Sequence, residues 1–165
     1  MVWGACYIGP VPTWGVLGRV MQRDAVSDRG SIMIDNRLTV LNLYELKKTP
    51  EDFEIAVGAL ARRVEAEGHP GVLSYRFFVN ASERTARGVI DYKNPDAWIG
   101  HHDIAMSWPE MTALHAAATL AEVIFLGPLT TEIQAWIESS ALTARVRNGN
   151  IFAGGFQRLS DWSNE

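Results

Sequence analysis

A single cysteine, Cys6, stands in this chain of 165 residues, so no internal disulfide can form and no paired thiolates offer themselves to a metal; a reducing, cytoplasmic setting is expected. Positive charge is also scarce. Lys and Arg number 15 against 19 Asp and Glu, for a formal net charge of -4, and no run of basic residues makes a local positive face. Nucleic acid is therefore not an expected partner, and Arg62 with Arg63, like Arg145 with Arg147, is expected to be solvated. Long apolar runs are missing too: the stretch nearest the N-terminus is broken by Gly9, Pro10, Pro12 and Gly15 and no basic residue precedes it. Neither a membrane span nor a secretory signal is expected. Metal-ligand spacing is absent as well, because His101, His102 and His115 have no partner one helical turn on and no carboxylate cluster accompanies them.

What is present is enough for one domain, with 47% hydrophobic and 21% charged residues. Residues 1–37 show no sustained period and read as an N-terminal appendage; Met33 abuts the first strand pattern, which makes residues 1–32 a candidate extension that the fold does not need. The domain is expected over 38–159, with a tail at 160–165. Its first strand, Leu38 to Leu46, is apolar on both faces, so helices should cover one face and something else, such as a second copy, the other.

Thr49 and Pro50 carry the cap and first-turn signals of a helix whose apolar stripe is Phe53, Ala56, Val57, Leu60, Ala61 and Val64, ended by Gly68. The centre of the chain runs from Gly71 to His102. There Leu73, Tyr75, Phe77 and Val79 alternate with Val72, Ser74, Arg76 and Phe78, and Arg87, Val89 and Asp91 alternate with Gly88, Ile90 and Tyr92, which predicts a hairpin. Asn94 and Pro95 then open a helix bearing Trp98, His101 and His102. A further helix is expected from SWPE at Ser107, with Met111, Leu114, Ala118 and Ala121 as its stripe, followed by a strand from Glu122 to Pro128. Thr130 or Thr131 caps the next helix, in which Ile133, Trp136 and Ile137 face inward. After turn residues Asn148, Gly149 and Asn150, a last strand is expected over Ile151 to Leu159.

That order is an α+β, ferredoxin-like antiparallel sheet with helices on one face. Taken together, LTVLNLYELKKTPEDF, HPGVLSYRFFV, VIDYKNPDAWIGHHD and VIFLGPL resemble the antibiotic biosynthesis monooxygenase family. The resemblance implies a dimeric α+β barrel, hence a homodimer, and a pocket between helices and sheet in which a quinol or polycyclic phenol is oxygenated without metal, flavin or other cofactor. It implies His101 as the catalytic base, and Asn42, Tyr44, Phe53, Tyr92, Trp98 and His102 as pocket residues. An ordinary imidazole in that role would give a rate rising between about pH 5 and 8.

The chain departs from one oxygenase branch, which has a Trp ending the third strand, an Asn four residues earlier and a Tyr six later; here those positions hold Tyr92, Gly88 and Trp98. No arginine lies between Arg87 and Arg145 to steady a phenolate. A second reading is a dimer of the same fold that binds a small aromatic molecule without chemistry. Haem degradation ranks last: Asn42 falls near the Asn that such relatives use, but His101 takes the place of their Trp and no histidine follows at the right distance. Trp108 and Trp136 read as core.

Overall fold

A computed structural model of the protein describes residues 37–155. Apart from Arg37, the appendage, the candidate start at Met33 and the tail at 160–165 lie outside the described residues. In order, the elements are β1 (Leu38–Leu46), α1 (Pro50–Glu67), β2 (Val72–Asn80), β3 (Thr85–Tyr92), α2 (Pro95–Ala105), α3 (Pro109–Ala117), β4 (Ala118–Leu126), α4 (Thr131–Ser139) and β5 (Arg145–Asn150). They build one sheet in the order β2-β3-β1-β4-β5, so β1 lies at its centre. β1 runs antiparallel to β3 and β4, and β2 antiparallel to β3, whereas β5 runs parallel to β4. The α+β, ferredoxin-like arrangement is present with one correction, that the sheet is mixed.

The helices start where their caps put them. Thr49 and Asp52 form a reciprocal capping box at α1, and the Asn94 side chain accepts from the Ala97 N–H at 2.9 Å to open α2. α1 buries Phe53, Ala56, Val57, Leu60 and Val64. The core forms two clusters on the helical face of the sheet. One gathers Tyr44, Phe53, Leu60, Trp108, Met111 and Leu114, the other Leu38, Val40, Ile90, Trp98, Phe125 and Ile133, and Val72, Tyr75 and Leu120 touch both. On the opposite face Leu41, Leu43, Val89 and Ile124 are half-buried, and Phe78 and Leu126 are exposed.

Several expected boundaries move. α3 ends at Ala117 and β4 begins at Ala118, so Ala118 and Ala121 belong to the strand and not to a helical stripe. The Ala117 carbonyl accepts from both the Lys47 and Lys48 N–H groups, at 2.8 and 3.0 Å, which joins the end of β1 to the start of β4 and outweighs the helix propensity of the alanine run. The last strand is Arg145–Asn150, and Ile151 to Gly155 are not strand. Its Arg145 and Arg147 are exposed as expected, yet each also reaches the Glu122 carboxylate at 2.6 Å, an ionic contact between β5 and β4. Leu73 leaves the inward set of β2 because the pairing with β3 shifts register between Val72 and Ser74.

α2 is seated against the turn that precedes β2. His69 Nδ1 accepts from the Gly71 N–H at 3.0 Å, the Gly71 carbonyl accepts from the Lys93 N–H at 2.8 Å, and a Cβ on Gly100 would stand 2.5 Å from His69 Cδ2. Alanine is the better helix former by about 1 kcal/mol, so Gly100→Ala would stabilise an unconstrained helix. Here it should lower the melting temperature, by an overpacking cost of roughly 1–3 kcal/mol, and adding His69→Ala should reverse part of the loss. A more stable Gly100→Ala protein would show that the seat is loose.

Candidate functional site

Between the helical layer and β1 lies a cavity of about 380 Å³. The sheet contributes Val40, Asn42, Tyr44, Tyr75, Ile90, Tyr92 and Phe125; α2 contributes Trp98, His101 and His102; α3 contributes Met111 and His115; and Trp136 of α4 and Lys47 complete much of the wall. Alternation along β1 explains the first group, since Val40, Asn42 and Tyr44 share its helical face. The cap at Asn94 explains the second, because it fixes which turn of α2 carries the two histidines.

Of the residues named from the sequence, Asn42, Tyr44, Tyr92, Trp98, His101 and His102 are brought together here. Phe53 is not among the lining residues. Its ring is fully buried beneath α1, 5.8 Å from Tyr44 and 6.4 Å from Phe77, where it supports the wall from behind. Trp108 is core as expected, with the Arg63 guanidinium 4.4 Å from its ring. Trp136 is a correction: it lines the cavity, half-buried, with its indole N–H donated to Asp103 at 2.9 Å. Tyr75 and Lys47 were missed. The alternation of β2 could have found Tyr75; nothing about Lys47, a lysine just beyond a strand, distinguished it from a solvated one.

The rings form a continuous aromatic wall. Trp98 stacks on His102 at 3.9 Å and meets Trp136 edge-on at 5.2 Å, while His101 lies 5.4 Å from Tyr75 and 5.9 Å from Tyr92. Polar groups are few and unevenly satisfied. Asn42 Nδ2 donates to the Tyr44 hydroxyl at 3.2 Å, but Asn42 Oδ1 and His101 Nδ1 are both buried without a partner. Native structures leave few such atoms, each costing roughly 1–3 kcal/mol, so a pair among the residues lining one cavity calls for an explanation. His102 Nδ1 stands 2.7 Å from the Trp98 carbonyl. A carbonyl can only accept, so that nitrogen carries the proton and Nε2 is bare in the neutral ring.

Burial holds these groups uncharged. It lowers His101 to about 3, helped by the nearby His102 and His69, and lowers His102 to about 4 against the opposing pull of the Trp98 carbonyl. The Tyr44 hydroxyl is pushed up to about 12 by burial, opposed by Asn42, and burial also raises Tyr75 and Tyr92. At neutral pH the inner cavity therefore presents imidazoles and phenols without charge. Among its lining residues the one that is charged is Lys47. No group of three or more His, Cys, Asp or Glu among the described residues could hold a metal ion, and no described helix is long and apolar enough to cross a membrane.

Comparison with solved structures finds this architecture in MupZ from Pseudomonas fluorescens, with a TM-score of 0.56 at 16% identity over 75% of this chain and 96% of that one. SnoaB, a cofactor-independent oxygenase from Streptomyces nogalater, aligns with a TM-score of 0.46 at 19% identity, over 58% of this chain and 96% of its own. A putative antibiotic biosynthesis monooxygenase from Caulobacter crescentus aligns at 0.49 and 20%, over 59% and 93%. No family model and no curated protein matches the sequence. At 16% identity the likeness to MupZ is one of fold.

The depressed histidines make stability depend on pH with a definite sign. Unfolding raises His101 from about 3 and His102 from about 4 to the ordinary 6.5, so the unfolded chain binds more protons and the native state is weakened as pH falls from about 6.5. Each neutral histidine should cost roughly 1.4 kcal/mol per pH unit across that window. Chemical denaturation between pH 7 and 4.5 should show a marked fall, reduced in His101→Gln. An unchanged slope in that variant would mean that His101 titrates normally.

Proposed function

We propose that the protein is a cofactor-independent monooxygenase, acting as a homodimer on a quinol or polycyclic phenol held in this cavity. The observation that carries the reading is the pair of buried, unpartnered atoms, Asn42 Oδ1 and His101 Nδ1, among the aromatic rings of the chamber's inner wall. Asn42 Oδ1 asks for a donor, and a substrate hydroxyl supplies one. Trp98, Tyr92 and Tyr75 offer ring faces and edges to a flat polycycle.

In the reaction, His101 takes the hydroxyl proton and the resulting anion gives one electron to molecular oxygen. Carbon and oxygen radicals then combine to a hydroperoxide at a ring carbon that bore hydrogen. Its O–O bond breaks, one oxygen stays as a carbonyl and the other leaves with two protons, so that phenol and O₂ become quinone and water. The base is weak in the cavity: the gap between a phenol near 10 and His101 near 3 corresponds to roughly 10 kcal/mol. The anion formed beside it must return much of that by favouring the imidazolium.

This low basicity also corrects the expected pH profile. His101 is already neutral at pH 5, so kcat/KM should be level between pH 5 and 8 instead of rising. It equally favours a second reading, in which the cavity binds an aromatic molecule without turnover. Oxygen uptake with a panel of quinols and polycyclic phenols separates the two. Under the enzymatic reading His101→Gln should lose roughly 10²–10⁴ in rate; a loss under tenfold would leave His101 a positioning role, and no uptake by the wild type alongside aromatic binding would leave the binding protein.

Leu41, Leu43, Val89 and Ile124 on the open face of the sheet support the homodimer, since the helices cover only the other face. Light scattering at micromolar concentration should give a dimer, and Leu41→Glu a monomer. A monomeric wild type would overturn this assembly.

A further inference from the structure

The ends of the cavity differ in charge. Val40, Asn42 and Tyr44 line it along β1, and Lys47 lines it just beyond the strand, seven residues on from Val40, or roughly 23 Å of extended chain. At the Val40 end the walls are Trp98, Phe125 and Trp136, which pack in one apolar cluster. At the Lys47 end the backbone is tied down, because the Lys47 N–H donates to the Ala117 carbonyl at 2.8 Å. Its ammonium is tied as well, donating to the His115 carbonyl. Lys47, His115 and Thr119 are exposed there, so this end is a mouth of the chamber open to water.

No Asp or Glu lines the cavity, and Lys47 has no carboxylate partner within it. An ammonium has three protons to donate and no acceptor function, and the His115 carbonyl uses one. Two remain for an anion. At a mouth open to water, a carboxylate keeps part of its hydration and escapes most of the cost that burial beside His101 would impose.

We infer that Lys47 is a specificity residue, taking the carboxylate of a polycyclic aromatic acid whose ring system reaches inward to Asn42 and His101. The separation along β1 suits several fused rings and not a single one. This inference rests on the cavity being the binding site, and it deepens that reading by naming an acid at the mouth and a neutral hydroxyl within.

Calorimetric titration with 6-hydroxy-2-anthroate, which carries both the acid and the hydroxyl, and with 2-anthrol, which carries the hydroxyl alone, tests it without any need for turnover, so its outcome is separate from that of the oxygen-uptake assay. The wild type should bind the hydroxy acid at least tenfold more tightly than 2-anthrol, and added salt should weaken the acid alone. Lys47→Met and Lys47→Gln should each cost the acid about tenfold while leaving 2-anthrol within about twofold, and Lys47→Arg should restore the acid. The glutamine variant keeps a donor for the His115 carbonyl and removes the charge, which separates charge from local structure. Equal wild-type affinity for the two ligands, an equal loss of both in Lys47→Gln, or binding of neither would overturn the assignment.

Discussion

The approach of α2 to the turn before β2 sets the width of the cavity. Gly71 and Gly100 face Ala97 and His69 with no room for a Cβ at either position, and the His69 ring is held by the Gly71 N–H. α2 follows β3 after only Lys93 and Asn94, so its start cannot drift: the Asn94 cap fixes the first turn and the seat fixes the second. From that placement come the stacking of Trp98 on His102 and the burial of His101 between Tyr75 and Tyr92. Asp103 on the same helix then holds the indole of Trp136, which brings α4 over the chamber. One close contact at the edge of the sheet thus propagates through a single helix to most of the aromatic wall.

The chamber's inner groups are withdrawn from water, and that burial decides their chemistry. Two adjacent imidazoles that would otherwise titrate near neutrality are kept uncharged, because burial removes the water that would stabilise the charged form and, at His101, His102 adds repulsion. The Asn42 amide donates to Tyr44, and its oxygen is left over. Such unmet polarity destabilises the empty protein, and a ligand bearing the complementary hydroxyl would relieve it. Under the proposed function, selectivity for hydroxylated rings over plain hydrocarbons would have the same source, since a site that hydrogen-bonds a hydroxyl rejects analogues lacking it more strongly than an apolar pocket rejects an added group.

Local signals in the sequence were enough for the parts of the fold that depend on local physics. Thr49 and Asn94 cap where their side chains say they should, and the period of β1 and β3 places Asn42, Tyr44 and Tyr92 on the helical face. Phe53 shows the limit of that reasoning. Its stripe on α1 correctly points inward, yet only the tertiary path of the helix decides that it lands behind Tyr44 and not in the cavity. Lys47 fails in the opposite direction, because its role depends on the Ala117 and His115 carbonyls, contacts some seventy residues away that no period encodes. Ala118 misled in its own way, since alanine favours helix and only the pairing with β1 draws it into a strand.

β5 was illegible for a more instructive reason. Its sequence, RVRNGN, has neither the apolar alternation of a half-buried strand nor a full complement of strand formers, and Gly149 takes a φ of +85°. What places it is Glu122, whose side chain is only 10% exposed, against 66% and 54% for Arg145 and Arg147. A carboxylate so nearly withdrawn from water needs charged partners, and the Arg147 guanidinium, seconded by Arg145, holds it below the usual carboxylate range. The two arginines stand two residues apart in β5, so both project to the face where Glu122 lies, and parallel pairing sets Arg145 beside Glu122 and Arg147 beside Ile124. An isolated exposed ion pair would contribute little, but here removal of the arginines would leave a desolvated charge uncompensated, which is the costlier state. The fifth strand is therefore held by this ion pairing together with the packing of Val146 on the core and the Asn150 side chain on the Phe125 carbonyl, and the ionic part appears in the sequence only as charges twenty-odd residues apart.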